Sequence, residues 1–316
     1  MKKVTFFCCW MLISQLAFTQ QFKPSEKKAF QQMEDSMLPI ALNILQGSST
    51  EIIVESDSLF TKMLVRALKK NNSFYYPFDS LFTISIQYAP DSSFRIFSWQ
   101  VSVNESSIRQ HGAIQMKTTD GQLQLIPLID KSDYIQNVED TITNNTAWIG
   151  AIYYKIVMNE YNNIKYYSLL GFDGNSISSN RKYIEVMHFE NGRPIFGGSH
   201  FSIPNDGLQP KNPARFVMEY KKDAGPKLNY DEDLQIIVME HLISESNEPN
   251  KKYTLIGDGD YEGFKWVNGK WTYINKVFHE ITPEGNAPIP TPIRDDAGKI
   301  DERKLKGGAE DEQKKP

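Results

Sequence analysis

The chain has 316 residues and a formal charge of -4, with 35 basic and 39 acidic side chains interspersed along it. Nothing in that pattern forms a basic patch or stripe, so nucleic acid is not an expected partner. Its only cysteines, Cys8 and Cys9, sit together inside an apolar run near the N-terminus.

That run belongs to MKKVTFFCCWMLISQLAFTQQ, where two lysines precede an almost wholly apolar stretch from Val4 to Phe18, with small residues at Ala17 and Thr19. The pattern is that of a secretory signal peptide, residues 1–20, and it is too short for a stable membrane span. An exported chain, periplasmic or extracellular, is therefore expected, with no membrane span after signal cleavage. The mature chain would carry no thiol. Thiol catalysis, Cys-ligated zinc and iron–sulfur clusters are then excluded, and the fold must rest on its core, which about 290 residues suffice to build.

Residues 25–72 read as helical. In SEKKAFQQMEDSMLPIALNILQG, Ser25 is placed to cap and Met33, Met37, Leu38, Leu42 and Leu45 recur at three- and four-residue spacing, with Pro39 expected to kink the helix or start another. In SDSLFTKMLVRALKKNN, Leu59, Phe60, Met63, Leu64, Ala67 and Leu68 share a face.

From Phe82 to about residue 278 the period is two. TISIQY, FRIFSWQVSV, IRQHGAIQMK and GQLQLIPLI are separated by turn compositions and predict an antiparallel meander. A polar interval with room for a short helix follows. AWIGAIYYKIVMNEY and IKYYSLLGF then predict two long strands across Asn162-Asn163, and Asn191-Gly192 and Asn268-Gly269 are hairpin signals. RFVMEY and LQIIVMEHLI supply further strands. The expected fold is α+β, mostly β: N-terminal helices packed on an antiparallel meander, as a sandwich or a partly closed barrel-like sheet, in one domain over 21–285. The proline-rich and charged residues 286–316 read as a disordered tail.

Most site motifs fail on inspection. In GDGDYEGFKWVNGKW, Asp258, Asp260, Glu262 and Gly263 match the first half of a calcium loop, but Lys265 and Gly269 break the second half. An irregular Ca2+ site on Asp258, Asp260 and Glu262 is weighed against an acidic turn before a strand. Otherwise no cofactor is implied. GGSHF lacks the second glycine of a nucleophile elbow at Ser199. His279-Glu280 lacks the second histidine of a zinc-protease helix, since Pro283 stands there. His188 and His241 are expected as half-buried, hydrogen-bonded strand residues.

The polar loop after strand YYSLLGF remains. Asp173, Asn175, Asn180 and Arg181, with Trp148 among the aromatic residues, are the candidate ligand-binding residues, because loop side chains escape the alternation that commits strand residues to a face. The alternative is turn capping and cross-strand packing, with Tyr167, Leu169 and Val186 in the core.

The runs WIGAIYYKIVMNEYNNIKYYSLLGFDGN, EVMHFENGRPIFG and FRIFSWQV together resemble a set of uncharacterised exported proteins of Bacteroidota. The resemblance covers roughly residues 82–198. It implies an exported, β-rich protein with no activity or catalytic residue to carry over, and in that setting the matches to a glycosylation signal at Asn104 and Asn144 would go unmodified. Two functions are open: a non-enzymatic periplasmic or secreted binding or envelope-associated protein, and a carboxylate-dependent hydrolase of an envelope or environmental polymer using Asp173 and Glu185.

Overall fold

The computed structural model describes residues 22–104, 107–205 and 211–278. The expected signal peptide and tail lie outside the described residues, as does His279. Residues as far as Val277 belong to one compact unit, and the fold below is that of its described part.

Two helices open it, α1 (Pro24–Gln46) and α2 (Thr50–Leu68). Pro24, not Ser25, starts α1: its fixed φ and missing N–H suit the first helical position, and Glu26 Oε2 accepts from the Lys23 N–H at 2.8 Å. The helix continues through Pro39 to Gln46. Burial of Phe30, Met37, Ala41 and Ile44 offsets the lost backbone hydrogen bond. Leu45 and Leu59, expected on the inner faces, are exposed, because the buried stripes run through Met37–Ala41–Ile44 and Phe60–Leu64–Ala67 instead. Ser49 caps α2, its side chain accepting from the Ile52 N–H.

Fifteen strands follow in three open sheets among the described residues. The first is the expected meander, β1 (Ser85–Tyr88), β2 (Phe94–Asn104), β3 (Ser107–Met116) and β4 (Gln124–Ile129), in that spatial order. The second is built from β5 (Thr143–Asn144), β6 (Ile152–Tyr161), β7 (Ile164–Asp173), β8 (Ser179–Glu190) and β9 (Arg193–Phe196), ordered β5-β9-β8-β7-β6. β11 (Arg215–Lys221) pairs with the first half of β8, beside the part of that edge taken by β9. The third contains β10 (Phe201–Ser202), β12 (Leu228–Asp231), β13 (Ile236–Ser244), β14 (Leu255–Val267) and β15 (Lys270–Ile274), ordered β10-β15-β14-β13-β12. None closes into a barrel. The three turns expected from the sequence, Asn162-Asn163, Asn191-Gly192 and Asn268-Gly269, are made by residues at positive φ, as a two-residue turn matching the strand twist requires.

Three apolar cores separate four layers. The helices pack through Phe30, Met37 and Phe60 against Phe97 and Trp99 on the first sheet. The other face of that sheet, with Phe94, Ile96 and Ile114, meets Tyr153, Leu169, Tyr183 and Met187 of the second. The second sheet's opposite face, with Leu170, Ile184 and Val186, meets Ile237, Phe264 and Trp271 of the third. The second sheet is thus covered on both sides, and its strands are apolar at consecutive positions where a half-exposed strand would alternate.

Buried Arg95 fastens the first sheet to the segment after α2. Its guanidinium donates to the carbonyls of Ser73 and Tyr76, to Tyr88 Oη and to Gln115 Oε1, at 2.6–2.8 Å. Phe74, Phe78, Tyr88 and Phe97 surround it with their rings. Burial lowers its pKa to about 10, against support from Tyr88.

Candidate functional site

At one end of the interface between the first and second sheets is a cleft of about 440 Å³. The start of β3, the segment 132–139, the end of β7 with its following loop, β8 and β11 all contribute to it.

Strand register assembles the polar wall. Asp173 of β7 pairs with Arg181 of β8, which pairs on its other side with Glu219 of β11. Since residues directly across adjacent strands point to the same face, the three charged side chains form one row. Arg181 Nε donates to Glu219 Oε2 at 2.8 Å, and this pair is partly exposed.

The loop then ties the row together. Asn175, at φ 42°, bends the chain so that its N–H donates to Asp173 Oδ1 at 3.0 Å, the side-chain-to-backbone turn that aspartate favours. Asn175 Nδ2 reaches Ser179 Oγ at 2.8 Å and Glu219 Oε1 at 3.2 Å, and Ser179 Oγ donates to the same Oε1 at 2.7 Å. From the first sheet, Gln110 Nε2 donates to Asp173 Oδ1 at 2.9 Å, while Tyr183 Oη donates to Oδ2 at 3.2 Å. Gly150, at φ 75°, makes room for Gln110: a Cβ there would lie 2.6 Å from its Cγ.

Burial pushes the Asp173 carboxyl above its usual range, against the Asn175 and Gln110 hydrogen bonds, the Arg181 charge and the Tyr183 hydroxyl. Burial works against the charge of Arg181, but Tyr183 and Glu219 outweigh it and raise its pKa. The tyrosine is itself raised, by burial and by Asp173.

Of the residues singled out in the sequence, Asp173, Asn175 and Arg181 line this cleft together. Asn180 does not: strand alternation turns it to the other face, where Nδ2 donates to the Lys222 carbonyl at 2.9 Å. Trp148 is completely buried in the core between the first two sheets, its Nε1 donating to Tyr153 Oη at 2.7 Å. The aromatic residues do not form one exposed ladder. Trp99 faces the helices, Tyr153 and Tyr167 the middle core, and Trp271 the third.

Glu185 is also enclosed. It accepts from Tyr153 Oη at 2.5 Å and from Arg215 Nε at 2.7 Å, with both ion-pair partners fully buried. It therefore cannot stand across a substrate from Asp173.

Asp258, Asp260 and Glu262 fall inside β14 on the third sheet, so the acidic turn expected there is instead a strand interior. His241 of β13 lies against them, Nδ1 to Asp258 Oδ2 at 2.7 Å and Nε2 to Glu262 Oε1 at 3.7 Å. The Asp258 hydrogen bond raises the His241 pKa against partial burial, with Glu262 assisting. Among the described residues no group of three His, Cys, Asp or Glu side chains is arranged to hold a metal ion.

Gln110, Tyr183 and Glu219 went unseen in the sequence. Glu219 had a usable signal: alternation in RFVMEYK puts Arg215, Val217 and Glu219 on one face, with charges opposite in sign to Glu185 and Arg181 on β8. The sequence does not reveal that β8 and β11 pair. Gln110 had no comparable signal.

No protein-family model matches the chain, and no curated protein or solved structure matches it either. No helix among the described residues is long and apolar enough to cross a membrane.

Proposed function

We propose that this chain is an exported, non-enzymatic binding protein whose cleft takes a small hydroxyl-rich ligand, of the saccharide class, from the cell envelope or its surroundings. The observation that carries this reading is the single hydrogen-bonded array of Gln110, Asp173, Asn175, Arg181 and Glu219, drawn from two sheets into one cleft. Carboxylate, amide and guanidinium groups held on rigid strands offer paired donors and acceptors, as vicinal hydroxyls require. Residues such as Ile108, Ile135 and Val217 give the cleft apolar walls. Catalysis is the weaker reading because Asp173 already accepts three hydrogen bonds, Glu219 is paired with Arg181, and Glu185 lies in a separate buried ion pair.

The test is a panel of mono- and oligosaccharides screened by thermal shift and followed by calorimetry. A binder should lose at least about tenfold in affinity on Arg181→Ala and on Glu219→Gln. Unchanged affinity in both variants would place binding elsewhere, and turnover of any polymer abolished by Asp173→Asn would restore the enzyme reading.

A further inference from the structure

We propose that the cleft is one end of a longer groove and that its ligand is an oligosaccharide, with the ring of Tyr134 as the platform for a further sugar unit; this rests on the saccharide reading above. The first observation is continuity. A second cleft, of about 390 Å³, adjoins the first: Ser107, Ile108 and Gln110 at the start of β3 line both, as do Ser132 and Asp133. Each volume lies in the lower part of the range for ligand sites, about 300–1,000 Å³. Joined, they suit a ligand longer than one ring.

The two parts also differ in chemistry. The first presents hydrogen-bonding groups, which meet the hydroxyl-bearing edge of a sugar. The second adds apolar surface, since Tyr134 is 79% exposed and Ile129 43%, and both line it. Scattered exposed apolar side chains need no explanation, but these two share one concave surface beside a polar site, where such exposure marks a ligand groove. A pyranose has an apolar C–H face of the kind that packs on an aromatic ring.

The ring is held ready. The Tyr134 N–H donates to the Lys131 carbonyl at 2.9 Å, and Lys131 Nζ lies 5.2 Å from the ring centroid. Asp130 fastens this turn to β3: Oδ1 accepts from the N–H and hydroxyl of Ser132 at 2.9 and 2.7 Å, and Oδ2 accepts from the Gln110 N–H at 2.9 Å. Gln110 in turn hydrogen bonds Asp173 in the first cleft, so platform and polar wall are fixed to one residue. Such ordering before binding lowers the entropic cost of holding a flexible chain.

Full-length protein is titrated with glucose, cellotetraose, N-acetylglucosamine and chitotetraose, by calorimetry and by amide chemical shifts. In the series that binds, the tetrasaccharide should bind about tenfold or more tightly than its monosaccharide. It should shift the amides of residues 129–134 together with those around Asp173, whereas the monosaccharide shifts only the latter. Tyr134→Ala, at an exposed position, should weaken the tetrasaccharide about three- to tenfold with the melt and the monosaccharide affinity unchanged, and Tyr134→Phe should keep the preference. Equal affinity for both lengths, or a length preference that Tyr134→Ala leaves intact, would overturn the longer groove and leave the saccharide cleft standing. Shifts confined to residues 129–134 would overturn it as well, by separating the platform from the cleft. No shift in either region with any of the four sugars would remove both readings.

Discussion

Glu185 and Arg215 are directly opposite on β8 and β11 and form a 2.7 Å ion pair with both side chains wholly excluded from solvent. The guanidinium also holds the carbonyls of Val138 and Thr141, the second at 2.7 Å, and Thr143 Oγ1 at 3.3 Å. It thereby anchors the segment that forms one wall of the cleft. Four residues along the same strands, Arg181 and Glu219 repeat the pairing with the signs exchanged, but partly exposed and in the cleft. One pair is sealed in the interior and the other is partly open to solvent.

Removing one partner of the buried pair strands a charge, so Glu185→Gln should cost about 3–5 kcal/mol of unfolding free energy. Urea denaturation measures this. The double variant Glu185→Leu/Arg215→Met should recover only part, since the Val138 and Thr141 carbonyls lose their donor.

Asp173→Ala tests how far the cleft row is structural. Gln110, Tyr183 and the Asn175 N–H all lose an acceptor, so a loss of about 1–3 kcal/mol is expected. Asp173→Asn, which keeps an acceptor, should lose less. Equal losses would show that charge, and not hydrogen bonding, holds the row. Val186→Asp, at a position fully buried between the second and third sheets, should be worse than either.

Asp91 supplies an acid-dependent term. Burial alone would raise its carboxyl, but hydrogen bonds from Lys165, Ser93 and Tyr167 outweigh it and hold the pKa at about 2, below the ordinary 3.8. A depressed carboxylate stabilises the fold fully above its unfolded value, and that contribution is lost as pH falls from about 4 through about 2. Lys165 is half-exposed, so screening limits the term to the order of 1 kcal/mol. Comparing urea midpoints at pH 6 and pH 2.5, Asp91→Asn should lose less stability on acidification than the parent chain.

His241 titrates in the opposite sense. With its pKa raised above 6.5 by Asp258, its contribution is present below the unfolded value and disappears as pH rises through the folded one. Proton NMR should place its midpoint above that of an unpaired histidine, and Asp258→Asn should bring it back down. An unmoved midpoint in the variant would remove Asp258 as the cause.

Arg95 should tolerate neither lysine nor methionine. Lysine cannot reproduce four hydrogen bonds from a planar group among four rings, and methionine leaves the Ser73 and Tyr76 carbonyls without their donor. Each change should lower stability by about 2 kcal/mol or more, measured by thermal melts at neutral pH.

Local chemistry carried much of the fold into the sequence. Asn162-Asn163, Asn191-Gly192 and Asn268-Gly269 marked their hairpins because few residues accept positive φ, and β1 to β4 were legible from period two and turn composition. Asp173, Asn175 and Arg181 could be picked out because they fall within eight residues of each other around one turn, although only Asn175 is in the loop: Asp173 ends β7, and Arg181, expected in the loop, lies inside β8. Stacking of the sheets could not be read in the same way. The second sheet is buried on both faces, so its strands carry no alternation to say which side meets which neighbour. Glu219 is 38 residues from Arg181, and Gln110 is 63 from Asp173. Their meeting depends on strand pairing and on one sheet lying over another, and neither leaves a local spacing in the chain. For the same reason Glu185 and Trp148, polar and aromatic residues of the kind that sites use, proved to be interior supports: burial is a property of layers, and the layers exist only once strands far apart in sequence have paired.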